Sequence, residues 1–156
     1  MTRVGLISDT HGLLRPEGLQ ALAGSDFIIH AGDIGDYSVI ERLAAIAPVT
    51  AVRGNNDAGA WAADIPETNV LDVERARFFV LHSVNDLHID PTEAGFRVVV
   101  SGHSHRPEIS ERNGVLFINP GSAGPRRFRL PISVATVECR NGQIAPRLIA
   151  HPERLV

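Results

Sequence analysis

The chain has no lysine, so all fifteen residues in its Lys+Arg total are arginine. Schiff-base chemistry and a lysine clamp on phosphate are therefore excluded. There is one cysteine, Cys139, in the strand-like run "ISVATVEC". No internal disulfide can form and a thiolate zinc site is ruled out, so any metal must be held by nitrogen and oxygen donors. No segment approaches the ~18 consecutive apolar residues of a membrane span. The chain runs from "MTR" straight into "VGLIS" without a charged-then-apolar leader, so a cytoplasmic protein with no membrane partner is expected. The net charge of −3 provides no basic field to recruit nucleic acid, which enters only as a substrate.

What is present fits one globular domain over residues 1–156, with 44% hydrophobic and 21% charged residues. A chain of this length buries roughly 68–70% of its unfolded surface, enough for a substantial core. "RVGLIS" (3–8) reads as a buried strand stopping at Asp9, and residues 16–23 as a helix with Pro16 at its first position. "DFIIHAGD" repeats the pattern of an apolar strand ending in a carboxylate. Ser38 and Glu41 fit a capping box for a helix whose apolar face is Val39, Ile40, Leu43 and Ile46, stopped by Pro48. "VTAVRGNND" is a third strand. Further on, "NVLDV", "RFFVLHS" and "RVVVSGHSH" are strands, and the Asn-Gly pairs in "ERNGVLFIN" and "ECRNGQIAP" signal hairpins. This order predicts a mixed α/β architecture, two packed mixed sheets with helices outside.

Chemistry collects where the strands stop. Asp9 and His11 follow the first apolar strand, Asp33 the second, and Asn55 and Asp57 the third. His82 follows a fourth strand, and His103 and His105, in "SGHSHRP", a fifth. Loops beyond strand ends are rigidly based yet open to solvent, and α/β proteins build sites there. Carboxylate, amide and imidazole donors suit manganese, iron, zinc or magnesium. Seven donors (Asp9, His11, Asp33, Asn55, His82, His103, His105) exceed what one catalytic ion with an open position can use. They suit two ions roughly 3.5–4 Å apart that share a carboxylate.

The series "SDTHG", "HAGDIGD", "RGNND", "LHS", "SGHSHRP" and "NPGS" closely resembles the calcineurin-like metallophosphoesterase superfamily. Its compact YfcE/MJ0936-like bacterial and archaeal phosphodiesterases are the nearest match. The resemblance spans about residues 4–125. It implies an αββα sandwich of two mixed sheets and hydrolysis of a small phosphodiester by hydroxide activated at a dinuclear centre. Manganese would be the metal, with iron, zinc, nickel and magnesium as alternatives. Carried over, it puts Asp9, His11 and His105 on one ion and Asn55, His82 and His103 on the other, with Asp33 bridging. Asp33, Asn55 and His103 take the catalytic roles. His103 and His105 would then serve different ions.

Two departures stand out. Many relatives have a proton-donating or phosphate-contacting His where this chain has Asn56, and their "HGH" is "HSV" here, with a short segment before Val98. Around the ligands, His30 is either a partner orienting Asp33 or a buried core residue. Asp57 reads as a loop anchor and Arg106 as a substrate or supporting residue. Asn119–Ser122 reads as a tight turn against the metal loops. Arg126, Arg127 and Arg129 form a solvated face or an anion site, and Trp61 is a local plug or a substrate wall. His88 and His151 belong to the surface. Two rival functions are a non-catalytic protein-binding scaffold on the same fold, as in a eukaryotic trafficking subunit, and a phosphomonoesterase. The sequence is also compatible with a homo-oligomer.

Overall fold

The computed structural model describes residues 1–127 and 129–151. Its strands are β1 (Thr2–Ile7), β2 (Phe27–His30), β3 (Val49–Ala51), β4 (Thr68–Val73), β5 (Ala76–Leu81), β6 (Val98–Val100), β7 (Glu108–Arg112), β8 (Val115–Asn119), β9 (Ile132–Arg140) and β10 (Gln143–His151). The helices are α1 (Pro16–Leu22), α2 (Tyr37–Ala44) and α3 (Ala60–Ala63), with a 3-10 turn at Val84–Asp86. The strands form two sheets of five, ordered β10-β9-β1-β2-β3 and β4-β5-β6-β8-β7. In the first, β1, β2 and β3 run parallel while β9 and β10 are antiparallel. In the second, β5, β6 and β8 run parallel between antiparallel β4 and β7. Two mixed sheets packed face to face are the expected architecture.

The apolar runs of β1 and β2 are buried because these parallel strands are covered on both faces. Between the sheets lies a core that includes Val4, Leu6, Ile29, Phe78, Val80, Val98, Val100 and Ile118. On the outer face of the first sheet, Ile7, Ile28 and Val134 meet Leu22 of α1 and Val39 and Leu43 of α2. Trp61 of α3 packs partly buried in this same cluster, which makes it a local plug. The outer face of the second sheet carries a thinner layer. There Val99, Val115 and Phe117 meet Leu87, next to the 3-10 turn, and no α-helix is among them. The short connection between β5 and β6 leaves part of this face open.

Local signals behave as their chemistry dictates. Asn113-Gly114 and Asn141-Gly142 both have positive φ, the pattern that a two-residue hairpin requires. The cap of α2 is a correction. Asp36, extended at φ −156°, accepts from the Ser38 N–H, and Ser38 lies inside the helix instead of capping it with Glu41. No helix among the described residues is long and apolar enough to cross a membrane.

Candidate metal centre

Because β1, β2 and β3 are parallel, as are β5 and β6, their C-terminal ends stand at one edge of the sandwich, where the loops carrying the polar residues meet. Those loops are tightly wound. Asp9, His11, Asp33, His103 and His105 all adopt left-handed backbone, with φ between 46° and 71°. This region is sparsely populated by non-glycine residues, costs about 1–3 kcal/mol each, and recurs at functional sites. Hydrogen bonds between loops hold the conformation: Asp9 N to Gly32 O (3.0 Å), His11 N to Asp33 O (2.9 Å) and Gly102 N to His82 O (2.8 Å). His103 N donates to Asp9 Oδ2 at 3.1 Å, linking residues 94 positions apart. Gly54 is required by close approach, since a Cβ there would overlap the backbone N and Oδ1 of Asp33.

Two clusters result. Asp9, His11 and His105 each offer a donor atom within 4.8 Å of the others, and so do Asp33, His82 and His103. The rings follow the same division: His11 faces His105 at 5.4 Å between centroids, and His82 faces His103 at 5.2 Å. The clusters meet at Asp33, whose Oδ2 is 3.2 Å from His82 Nε2 and 3.7 Å from His11 Nε2. Asp9 Oδ1, His11 Nε2, His82 Nε2 and His105 Nδ1 are buried without a hydrogen-bond partner, so the close His82–Asp33 approach is an ion-pair contact only. An unpartnered buried polar atom is costly, and several aimed at one space fit absent cations. His82 Nδ1 meets the Ala31 carbonyl at 2.7 Å. Donating there fixes the tautomer and leaves Nε2 as a lone-pair donor toward the centre. Asn55 is exposed and lines a cleft of about 630 Å³ with His82 and His103.

The electrostatics are those of a site built for positive charge. Burial pushes the Asp9 carboxyl up to about 6, partly offset by His82 and the Ser8 hydroxyl. Burial would also raise Asp33, but the His82 ring, the Asn56 N–H and His11 hold it well below the carboxylate range. Burial opposes charge on His82, yet Asp33, the Ala31 carbonyl and Asp9 raise it above its ordinary value. His105 is lowered to about 4, first by burial and then by nearby Arg127.

The supporting residues fall into place individually. Asn56 donates twice to Asp33, from its backbone N to Oδ1 (3.0 Å) and from Nδ2 to Oδ2 (3.1 Å). Asp57 is buried and accepts from the N–H groups of Ile34, Gly35 and Gly54, tying the Asp33 loop to the Asn55 loop as a structural anchor. His30 is fully buried and held neutral, its pKa lowered to about 3 by burial. It accepts from Gly32 N at 3.1 Å and pairs with Thr10 Oγ1 at 3.0 Å, so it braces both loops without touching the Asp33 carboxylate. In the Asn119–Ser122 turn, Asn119 Nδ2 donates to Gly102 O and Ser104 Oγ, and Ser122 Oγ to Asp9 O. Arg106 is exposed and outside both clusters, and His88 is exposed in the cleft beside His82. The side chain of His151 lies outside the described residues. Sequence reasoning missed Ser8, whose hydroxyl donates to Asp9 Oδ2, and Thr10, whose hydroxyl donates to Ile34 O. Their only signal was adjacency to a ligand.

A family model described as the calcineurin-like phosphoesterase superfamily domain matches residues 2–142. The chain is 32% identical over 140 residues to a probable metallophosphoesterase of Methanothermobacter thermautotrophicus, covering 82% of this chain and 81% of that one. It is 30% identical over 138 residues to the phosphodiesterase MJ0936 of Methanocaldococcus jannaschii, covering 76% and 82%. In three dimensions it resembles Vps29 of Chaetomium thermophilum, with a TM-score of 0.78, 20% identity, and coverage of 97% of this chain and 100% of that one. At that identity the likeness is one of fold.

Proposed function

Since the chain belongs to the calcineurin-like phosphoesterase superfamily it is a metallophosphoesterase, and we propose that it hydrolyses phosphodiesters at a dinuclear centre. In this reading Asp9, His11 and His105 hold one ion, Asn55, His82 and His103 hold the second, and Asp33 lies between them. The reading rests on one observation above others. Asp33 Oδ2 stands within 4 Å of a ring nitrogen from each cluster, while unpartnered buried atoms of both clusters point into the same space. Two divalent ions held there would supply Lewis acidity to a phosphoryl oxygen and lower the pKa of an attacking water. The donor set contains no sulfur: its carboxylates suit manganese or magnesium and its imidazoles suit iron, zinc or nickel, and manganese is the metal proposed with the other four as alternatives. The residues themselves provide rigid placement: Asn56 and Asp57 fix the Asp33 loop, and the Ala31 carbonyl fixes the His82 tautomer.

A non-catalytic scaffold would not by itself require the strained backbone and orphaned donors maintained at one edge. A cytoplasmic location is part of the same proposal; Cys139, the single cysteine, is compatible with it and has no internal disulfide partner in any compartment. The test is elemental analysis followed by turnover of bis(4-nitrophenyl) phosphate. We expect two ions per chain, both lost in Asp33→Ala and mainly one lost in His105→Ala, with turnover abolished in Asp33→Ala. A full metal complement in Asp33→Ala would refute the dinuclear assignment.

A further inference from the structure

Two depressions border the centre, and they differ in charge. His103, Ser83 and Asn85 line both of them. In the larger, Arg53 is the only arginine, and its guanidinium is already paired with Glu67 at 3.0 Å. Asp86 adds a further negative charge to that wall. The smaller groove, about 330 Å³, lies on the open outer face of the second sheet and contains Arg106, Arg112 and Glu108. None of these three makes an ion pair among the described residues, so the groove carries a net excess of one positive charge.

The placement follows from strand geometry. Side chains at i and i+2 on a strand share a face, so Glu108, Ser110 and Arg112 of β7 project together. Antiparallel pairing sets Ser110 opposite Phe117 and Glu108 opposite Asn119, so these residues of β8 join the same face. The Arg112 guanidinium lies 4.5 Å from the centre of the Phe117 ring. Stacking on an aromatic face holds the planar fork in place and leaves its edge free to pair with an anion. At the other end of the groove, Arg106 directly follows His105. A track of unpaired guanidinium groups therefore leads away from the centre, across a face that the short β5–β6 connection leaves open.

We infer that this groove seats a second phosphate, carried on one arm of the scissile diester. The inference rests on the phosphodiesterase reading and deepens it. The arm bearing the extra phosphate lies along Arg106 and Arg112, and the other arm, which carries no charge of its own before cleavage, faces the larger, net negative cleft. Preferred substrates are then asymmetric diesters with an anionic terminus, such as a nucleotide arm that carries a further phosphate.

The experiment compares thymidine 5′-(4-nitrophenyl phosphate) with the same ester phosphorylated on its 3′ oxygen, using the metal-loaded protein. The expected result is a kcat/KM about tenfold higher for the 3′-phosphorylated ester, the low end for a charge-assisted contact and expressed mainly in KM. This preference should shrink as salt rises, because the groove is exposed. Arg106→Gln and Arg112→Gln should each reduce it, and the double variant should abolish it. Equal kcat/KM for the two esters, or a preference that survives in the double variant, overturns the inference while leaving the phosphodiesterase reading intact. If the wild type hydrolyses neither ester, the phosphodiesterase reading itself fails, and the inference with it. A second measurement needs no variant: thymidine 3′,5′-bisphosphate should inhibit the wild type about tenfold more tightly than thymidine 5′-phosphate, and equal inhibition overturns the inference.

Discussion

Asp57 lies within hydrogen-bond reach of three backbone donors, and replacing it tests how the centre is held. Oδ1 accepts from Gly35 N at 2.9 Å, and Oδ2 accepts from Ile34 N at 3.1 Å and Gly54 N at 2.9 Å. Asp57→Ala deletes all three bonds and strands the donors. Hydrogen bonds to a charged group are worth about 1.5–3 kcal/mol each. Gly35 is exposed, so water can reach that donor and part of the loss is recovered. We expect a net destabilisation of about 3–5 kcal/mol, at the upper end for single substitutions. Asp57→Asn can keep its remaining oxygen on Ile34 and Gly54 and loses chiefly the Gly35 bond, about 1.5–3 kcal/mol. At roughly 2–4 °C per kcal/mol for a chain of this size, the melting temperature should fall by about 6–20 °C for Ala and 3–12 °C for Asn. The assay is thermal unfolding by circular dichroism in excess chelator, because bound metal would mask the difference. Equal losses for the two variants, or a loss under about 1 kcal/mol for Ala, would refute the clamp.

Three further outcomes are expected. The Asn56 amide has no proton to give near neutral pH and is engaged with Asp33, whereas general-acid help is typically worth about 10²–10⁴-fold. Aryl diesters should therefore outpace alkyl diesters, with a steep dependence on leaving-group pKa that Asn56→His flattens. A shallow wild-type slope across substituted phenyl diesters would instead implicate another donor, and exposed His88 in the cleft would be the group to replace. Metal affinity should depend on pH. The folded pKa of Asp9 is raised from 3.8 to about 6, so the metal-free fold loses stability as pH rises through that window, and the ion must displace any proton still bound. Affinity for manganese should therefore climb as pH rises through about 6, and His82, also raised, extends the climb to higher pH, with proton release on binding at the acid end. Flat affinity by calorimetry over that range would contradict this. Finally, Gly54→Ala should perturb the centre more than the fold, because its Cβ would collide with Asp33 N and Oδ1. Reduced metal content with an unchanged circular-dichroism spectrum is the expected result.

The donor inventory, the strand ends that carry it and the hairpin turns were all legible in the chain. Each depends on local physics: an apolar run buries, a polar residue ends it, and Asn-Gly tolerates positive φ. Asp57 reads as a loop anchor from its place in the polar turn, but two of its three partners, Ile34 and Gly35, lie in another loop and reach it only in the folded chain. The cap of α2 was misread, because both Asp36 and Ser38 can cap, and only the extended backbone at Asp36 chooses between them. Trp61 was undecided until packing put it against α2 and the first sheet.

Pairings between residues far apart in the chain depend on packing. His103 and His105 are two positions apart, yet their rings lie against His82 (edge-on) and His11 (tilted) respectively. Nothing local assigns those partners, which follow from the β1 and β5 loops arriving on either side of the β6 loop. Likewise Asp33 Oδ2 reaches both clusters because His11 and His82 come to it from loops of different sheets. The left-handed backbone of Asp9, His11, Asp33, His103 and His105 is unfavourable in isolation and is held by hydrogen bonds between loops. The open face bearing Arg106 and Arg112 depends on how little chain covers the second sheet. Which atoms can bind metal is readable from the chain alone, since that is a property of each side chain. Packing determined which of them stand together, because the long-range bonds that set those distances exist only once the two sheets have closed on each other.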